Sequence, residues 1–238
     1  KLGRPKRKAD ALQREQLKPW FAEVLKLSAV PSGYLQTLLL TGARREELSA
    51  LRWADVDFKW KSLRIRDKVE GERSIPLTPY VAAVLEGLKA ANERRPLVPR
   101  RLRSKPDEAA EFQRGWRPSP WVFASARAKV GYLQEPRIAH NEALDAAGLP
   151  HITLHGLRRS FGTLAEWVEA PVGVVAQIQG HKPSAIAEKH YRVRPLDLLR
   201  MWHTRIEGWI LAEAGIEQPK AQEPGERPAL QVIVETAT

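Results

Sequence analysis

Residues 62–77 read SLRIRDKVEGERSIPL. Leu63 and Ile65 alternate with Arg64 and Arg66, and Ile75 and Leu77 alternate across Pro76. A period of two places successive side chains on opposite faces of a strand. Glu70-Gly71 lies between the two runs, so the stretch predicts a β-hairpin or a short meander. Pro76 has no N–H to give a ladder and marks an edge or a strand end. This stretch decides the fold class, because the segments around it follow a different period.

Before it, Leu12, Leu17, Phe21, Val24 and Leu25 recur at helical spacing within residues 11–27. PSGYLQTLLLTG (31–42) predicts a second helix ended by Gly42, and RREELSALRW (44–53) a third with Leu48 and Leu51 one turn apart. DVDF (55–58) turns the chain. After the hairpin, residues 78–93 return to helix. Residues 94–105 hold six basic side chains, no acid and two prolines; with the stretch to Pro120 they predict a polar, irregular insertion, mobile as a loop. Trp121, Val122 and Phe123 predict a short strand. Helices follow over 137–149, closed by Gly148, over 154–168, with Leu157, Phe161, Leu164 and Val168 on one stripe, and over 171–180, with Pro171 in the first turn. One more lies within 187–215, broken near Pro195. The expected class is therefore α+β: mainly helical, with a small antiparallel element.

Three segments are expected. Residues 1–10 are a basic arm or linker, residues 11–216 one globular domain, and residues 217–238 a polar tail. The tail is expected to be largely disordered, with ALQVIVE able to pair as a strand. Residues 1–8 carry five basic side chains, which read equally as a flexible arm and as a solvated chain end.

The 238 residues carry a formal net charge of +11, which speaks of partners rather than fold. Nucleic acid is the usual polyanion, since its phosphates attract lysine and arginine whatever the base sequence. No apolar run approaches the ~20 residues that span a bilayer, so no membrane partner is expected. The opening KLGRPKRKAD has no signal-peptide character. The absence of cysteine excludes disulfides, thiolate catalysis and cysteine-type zinc sites. The six histidines follow no metal-ligand spacing, and neither metal nor cofactor is expected.

HGLRRSFGTL (155–164) places His155 and Arg158 one turn apart on a helix, while Leu157 and Phe161 face the core. A guanidinium fork suits a phosphate, and a histidine beside it can exchange a proton near neutral pH. Read alone, the pair is more often a helix start with ordinary surface charge. Arg44 follows the helix-ending Gly42, and Glu47 stands three residues on, placed to orient a guanidinium. His181 follows Gly180, and Tyr191 comes ten residues later. Lys68 sits at the approach to the hairpin turn.

Together these segments resemble the tyrosine recombinases, or phage integrases. TGARREELSALRW resembles that family's first arginine box, DKVEGERSIPL its β-hairpin lysine segment, LHGLRRSFGT its His-x-x-Arg box, and QGHKPSAIAEKHY its final box. Four boxes in order over residues 41–191 are far more specific than any one. The resemblance implies a tyrosine recombinase catalytic domain over residues 11–216. Tyr191 would be the nucleophile, forming a 3′-phosphotyrosyl bond and releasing a 5′-hydroxyl. Arg44 and Arg158 would clamp the non-bridging oxygens, and Lys68 would protonate the leaving oxygen. His155 would help accept the tyrosine proton, His181 would hydrogen-bond the phosphate, and Glu47 would support them. Partners implied are double-stranded DNA attachment sites and three further copies of the chain on DNA, with a monomer in its absence. The setting implied is the cytoplasm of a bacterial host, at the nucleoid.

The sequence departs from the family in places. Arg159 stands where many relatives have a second histidine. The interval from His181 to Tyr191 is slightly long, and His190 adjoins the tyrosine. Only the basic arm precedes the first helix, where relatives carry a core-binding domain, so weak DNA affinity is expected. A type IB topoisomerase shares this active-site logic; a DNA-binding module without cleavage and a phosphate-binding metabolic enzyme are the other classes weighed. Trp53, Trp116, Trp121 and Trp167 are expected in or near the core. Trp202 and Trp209 are expected on a helix that docks into a neighbouring subunit. The basic stretch 94–105 reads equally as a DNA-backbone contact and as a solvated loop.

Overall fold

The computed structural model describes residues 10–67, 71–181 and 193–219. Helix α2 (Ala29–Thr41) runs through the centre. Tyr34, Leu35, Leu38, Leu39 and Leu40 are all fully buried, as expected of a helix apolar on nearly every side. Its buried hydroxyls are satisfied locally: Thr37 Oγ1 donates to the Gly33 carbonyl at 2.7 Å, and Thr41 Oγ1 to the Thr37 carbonyl at 2.6 Å. Around α2 pack α1 (Leu17–Val24), α4 (Pro79–Glu93) and α7 (Leu154–Ala165). The short α3 (Arg45–Ser49) follows it directly.

The sheet orders β1 (Val56–Asp57), β2 (Ser62–Asp67) and β3 (Gly71–Pro76), all antiparallel. The hairpin expected from the alternation is there. The register pairs Leu63 with Ile75 and Ile65 with Arg73, so these four side chains share one face. Leu63, Ile65 and Ile75 on that face are fully buried. The DVDF turn supplies a third strand, because Val56 pairs with Leu63.

Other expectations need correction. Trp121–Phe123 forms no strand; it makes a single bridge, Arg52 with Trp121, too brief to be a ladder. The insertion 94–120 is not wholly irregular. It contains a 3₁₀ turn, Arg100–Leu102, and α5 (Pro106–Gly115), a helix with no buried residue. Its neck is closed by a reciprocal pair: Asn92 Nδ2 donates to the Ser119 carbonyl at 2.9 Å, and Ser119 N–H to Asn92 Oδ1 at 3.0 Å. α6 (Arg137–Ala146) and α8 (Val172–Gln179) lie within their expected spans.

The last described helix, α9 (Leu196–Ala214), begins after Pro195. It packs in its own chain against α1, β3, α7 and α8, and Trp202 and Trp209 lie, partly buried, against that chain's core. Buried polar groups fasten it. His203 Nε2 meets the Leu40 carbonyl at 2.8 Å, and Glu207 accepts from Thr78 Oγ1 and from the N–H groups of Tyr80 (2.8 Å) and Val81 (3.3 Å) at the start of α4. Trp167, expected near the core, is 56% exposed; it stacks on Trp209 at 5.6 Å with the Arg14 guanidinium over it. No helix among the described residues is long and apolar enough to cross a membrane.

Candidate active site

α2 ends at Gly42, whose φ of +58° suits a left-handed cap. The chain reverses there and places Arg44 at the cap of α3. Glu47, in the first turn of α3, reaches back: its Oε2 accepts the Arg44 N–H at 2.8 Å and its Oε1 accepts Arg44 Nη1 at 2.7 Å. Arg44 Nη2 donates to the Gly180 carbonyl at 3.1 Å.

Arg158 leaves the middle of α7 and is almost wholly buried. Its Nη1 donates to the Gly42 carbonyl at 2.7 Å and to the Gln179 carbonyl at 2.8 Å. Gln179 returns the contact, its Nε2 donating to the Arg158 carbonyl at 2.7 Å. The two guanidinium groups thus share the chain reversal at residues 179–180, and Arg158 also rests on the one at Gly42. Carbonyl dipoles hold a charge in a fixed direction without neutralising it.

His155 stands one turn before Arg158, and its helix is capped by Thr153, whose Oγ1 accepts the Gly156 N–H at 2.9 Å. His181 follows Gly180 at the end of α8, its N–H bonded to the Ala176 carbonyl at 2.8 Å. Both imidazoles titrate below the ordinary histidine value. For His155 the main cause is desolvation, followed by the charges of Arg159 and Arg158, with Asp10 acting the other way. For His181 desolvation again leads, followed by Arg158, Arg44, Arg73 and His155.

Arg44, His155, Arg158 and His181 line one cleft of about 1100 Å³. Arg45, Arg52, Arg64, Arg66 and Arg137 also line it, and Arg52 is held over the Trp121 ring at 4.5 Å. Lys68, His190 and Tyr191 lie outside the described residues.

Arg73 was not singled out in the sequence, and it belongs to this site. Its Nη1 and Nη2 donate to Glu47 Oε1 and Oε2 at 2.9 and 2.8 Å, and its Nε donates to the Ile178 carbonyl at 3.3 Å. The signal was the parity of the strand: Arg73 alternates in step with Ile75. Glu47 is buried, which favours its neutral form, yet Arg73 first and Arg44 second hold its carboxyl below the ordinary range. Arg159 has a local partner in Asp10, which also accepts from Thr153 Oγ1 at 2.8 Å.

Two further histidines, His140 and His203, are structural, whereas His151 is exposed and lines the cleft. His140 accepts the Trp20 indole N–H at 3.2 Å, and burial pushes both His140 and His203 down to about 4. Among the described residues no group of three or more metal-ligating side chains is assembled.

A small antiparallel sheet set on a helical body, with cations gathered from three helices, is the build of a tyrosine recombinase catalytic domain. Two solved structures share it: the integrase of mycobacterium phage Brujita (TM-score 0.58, 17% identity, 90% of this chain and 67% of that one) and the XerH site-specific recombinase bound to its difH substrate (0.55, 18%, 85% and 52%). The chain belongs to the phage integrase family, which its residues 11–195 match. It is 60% identical over 208 residues to prophage integrase IntF of Escherichia coli (strain K12), covering 87% of this chain and 40% of that relative.

Proposed function

We propose that the chain is the catalytic part of a site-specific DNA recombinase, an integrase that cuts and rejoins duplex attachment sites through a 3′-phosphotyrosyl bond at Tyr191. The observation that carries this reading is the seating of Arg44 and Arg158 on adjacent carbonyls in one cleft shared with His155 and His181.

The chemistry follows from charge. A phosphodiester is anionic and repels a nucleophile, and its transition state gathers further charge on the oxygens. Cations already fixed there lower the barrier without reorganising. Arg44 and Arg158 take the non-bridging oxygens, and His181 donates a hydrogen bond to one of them. A phenol with an ordinary pKa near ~10 needs help to ionise. His155, neutral at pH 7, accepts its proton while the guanidinium groups favour the phenolate. The phenolate oxygen bonds to phosphorus, the bond to the 5′ oxygen breaks, and Lys68 gives that oxygen a proton. The phosphotyrosyl bond keeps the energy of the broken linkage, so a second 5′-hydroxyl can displace Tyr191 and restore DNA. The net charge of +11 and the arginines along the cleft suit the duplex on either side. Strand exchange between two sites is assigned to four copies of the chain, one at each cleaved strand.

The test is a half-site duplex nicked next to the cut, from which the short segment bearing the new 5′-hydroxyl diffuses away, trapping the adduct. Covalent protein–DNA product from the wild-type chain and none from Tyr191→Phe supports the reading. Equal product from both, or none from the wild type, overturns it. Relaxation of supercoiled plasmid without joining of two sites would favour a topoisomerase.

A further inference from the structure

We propose that Arg73 is a positioning residue for the Arg44 guanidinium, acting through Glu47 and the Gly180 loop. The inference rests on the strand-cleavage reading above.

An arginine on the buried face of a sheet requires a reason. Arg73 sits opposite Ile65, beside the buried Ile75, so its side chain leaves β3 on the inner side. There it completes the coordination of Glu47. Oε1 accepts from Arg44 Nη1 and Arg73 Nη1; Oε2 accepts from the Arg44 N–H and Arg73 Nη2. Only 4% of the Glu47 side chain is exposed, so a carboxylate held by Arg44 alone would be a buried charge with half its bonds. The Arg73 fork fixes the plane of that carboxylate, and the carboxylate fixes Arg44.

Charge gives a second reason. Glu47 paired only with Arg44 would cancel the positive charge meant for the phosphate. With Arg73 the trio carries a net +1. The exposures order the three: the Arg73 side chain is 18% exposed, Glu47 4% and Arg44 36%, so the surplus charge stands at the cleft on Arg44.

The third reason is Gly180, whose carbonyl is the other support of Arg44. Gly180 lies so close to the Arg73 guanidinium that a Cβ there would come within 2.6 Å of Cζ. Arg73 therefore backs both supports of Arg44, and its Nε bond to Ile178 ties β3 to the end of α8. The hairpin itself is held by six cross-strand pairs that do not involve the Arg73 guanidinium, so the effect falls on the cradle rather than on Lys68.

The experiment is single-turnover cleavage by the whole chain, wild type against R73Q and R73K, on three nicked half-sites. The first has a normal phosphodiester. The second has sulfur in place of the bridging 5′ oxygen, a leaving group that needs no proton. The third has an uncharged methylphosphonate, which makes less demand on a cationic cradle. On the first, R73Q should be slowed about 100-fold. R73K should be slowed similarly, because an ammonium cannot reproduce the fork. The R73Q deficit should persist with the 5′ sulfur and shrink to under about tenfold on the methylphosphonate. Wild-type rates in both variants overturn the inference. So does rescue by the 5′ sulfur, which would route Arg73 through Lys68, and so does an undiminished deficit on the methylphosphonate, the mark of a merely structural role. Loss of cooperative unfolding in both variants has the same meaning. No adduct from the wild type overturns the cleavage reading itself, whereas the other outcomes count against Arg73 alone.

Discussion

Arg158 Nη1 lies 2.7 Å from the carbonyl oxygen of Gly42, the residue that ends α2 and begins the turn into Arg44. One arginine of the cradle thus holds the turn that presents the other. The same nitrogen also reaches the Gln179 carbonyl, and the ammonium of Arg158→Lys, one bond shorter than Nη1, falls short of both carbonyls and has no planar fork. We expect single-turnover adduct formation to fall by ~10²–10³-fold. Stability should fall by about 1–3 kcal/mol in urea unfolding, since a buried carbonyl loses its donor. A variant that cleaves at the wild-type rate would remove Arg158 from the proposed clamp.

Gly42 is constrained twice. Its φ of +58° disfavours any side chain, and a Cβ there would stand 2.7 Å from the Phe161 ring and 2.9 Å from Gln179 Nε2. Phe161 is fully buried and cannot give way cheaply. Gly42→Ala should cost about 2–4 kcal/mol in urea unfolding, the left-handed strain and the overpacking adding together. It should also slow adduct formation, because the carbonyl under Arg158 moves. Unchanged stability would mean that this turn relaxes freely.

The hairpin was legible because alternation of Leu63, Ile65 and Ile75 is a direct consequence of the pleat. The two arginines and two histidines of the cleft were legible as boxes. Their convergence was implied by the family resemblance; what seats them was not legible, because carbonyl contacts such as those of Gly42 and Gln179 leave no trace in side-chain identity. Arg73 was hidden by its charge: a cation on an inner face looks like an outward residue until its register is known. α5 carried its start signals, Pro106 with Asp107 and Glu108, but no apolar stripe, since it buries nothing. α9 was readable as a helix. Its docking was not, because an amphipathic face states that it will be covered and not by what; the buried Glu207 and His203 bonds hold one side of it to its own chain.

His203 should make stability depend on pH in a definite window. Burial holds its folded pKa at about 4, against an ordinary 6.5. The unfolded chain therefore binds the proton first as pH falls. Stability is lost progressively from pH 6.5 down to about 4, by roughly 3 kcal/mol from this group. Glu207, whose carboxyl is raised by burial, acts in the opposite sense above its ordinary value, so the difference between variants is the clean measure. His203→Gln keeps a donor for the Leu40 carbonyl and removes the titration. Its unfolding free energy should have a flatter slope than the wild type between pH 6.5 and 4. Parallel slopes would show that His203 is solvated in the native state.

Arg159 offers a test of which group takes the tyrosine proton. Its guanidinium is paired with Asp10 beside His155, and its charge is one of the influences holding the His155 pKa down. A histidine that accepts a proton must be neutral, so cleavage should fail as pH drops through its folded pKa, on a limb below the ordinary 6.5. Arg159→Gln removes a positive neighbour and leaves Asp10 with less compensation; both changes raise the His155 pKa. The acid limb of the single-turnover rate should therefore move to higher pH, with the plateau rate largely kept. Arg159→Lys retains the charge and should keep the wild-type limb. His181 is shifted by burial and then by Arg158, Arg44, Arg73 and His155 rather than by Arg159, so a limb belonging to His181 would stay where it is in both variants. An unmoved limb in Arg159→Gln would thus take the acceptor role away from His155.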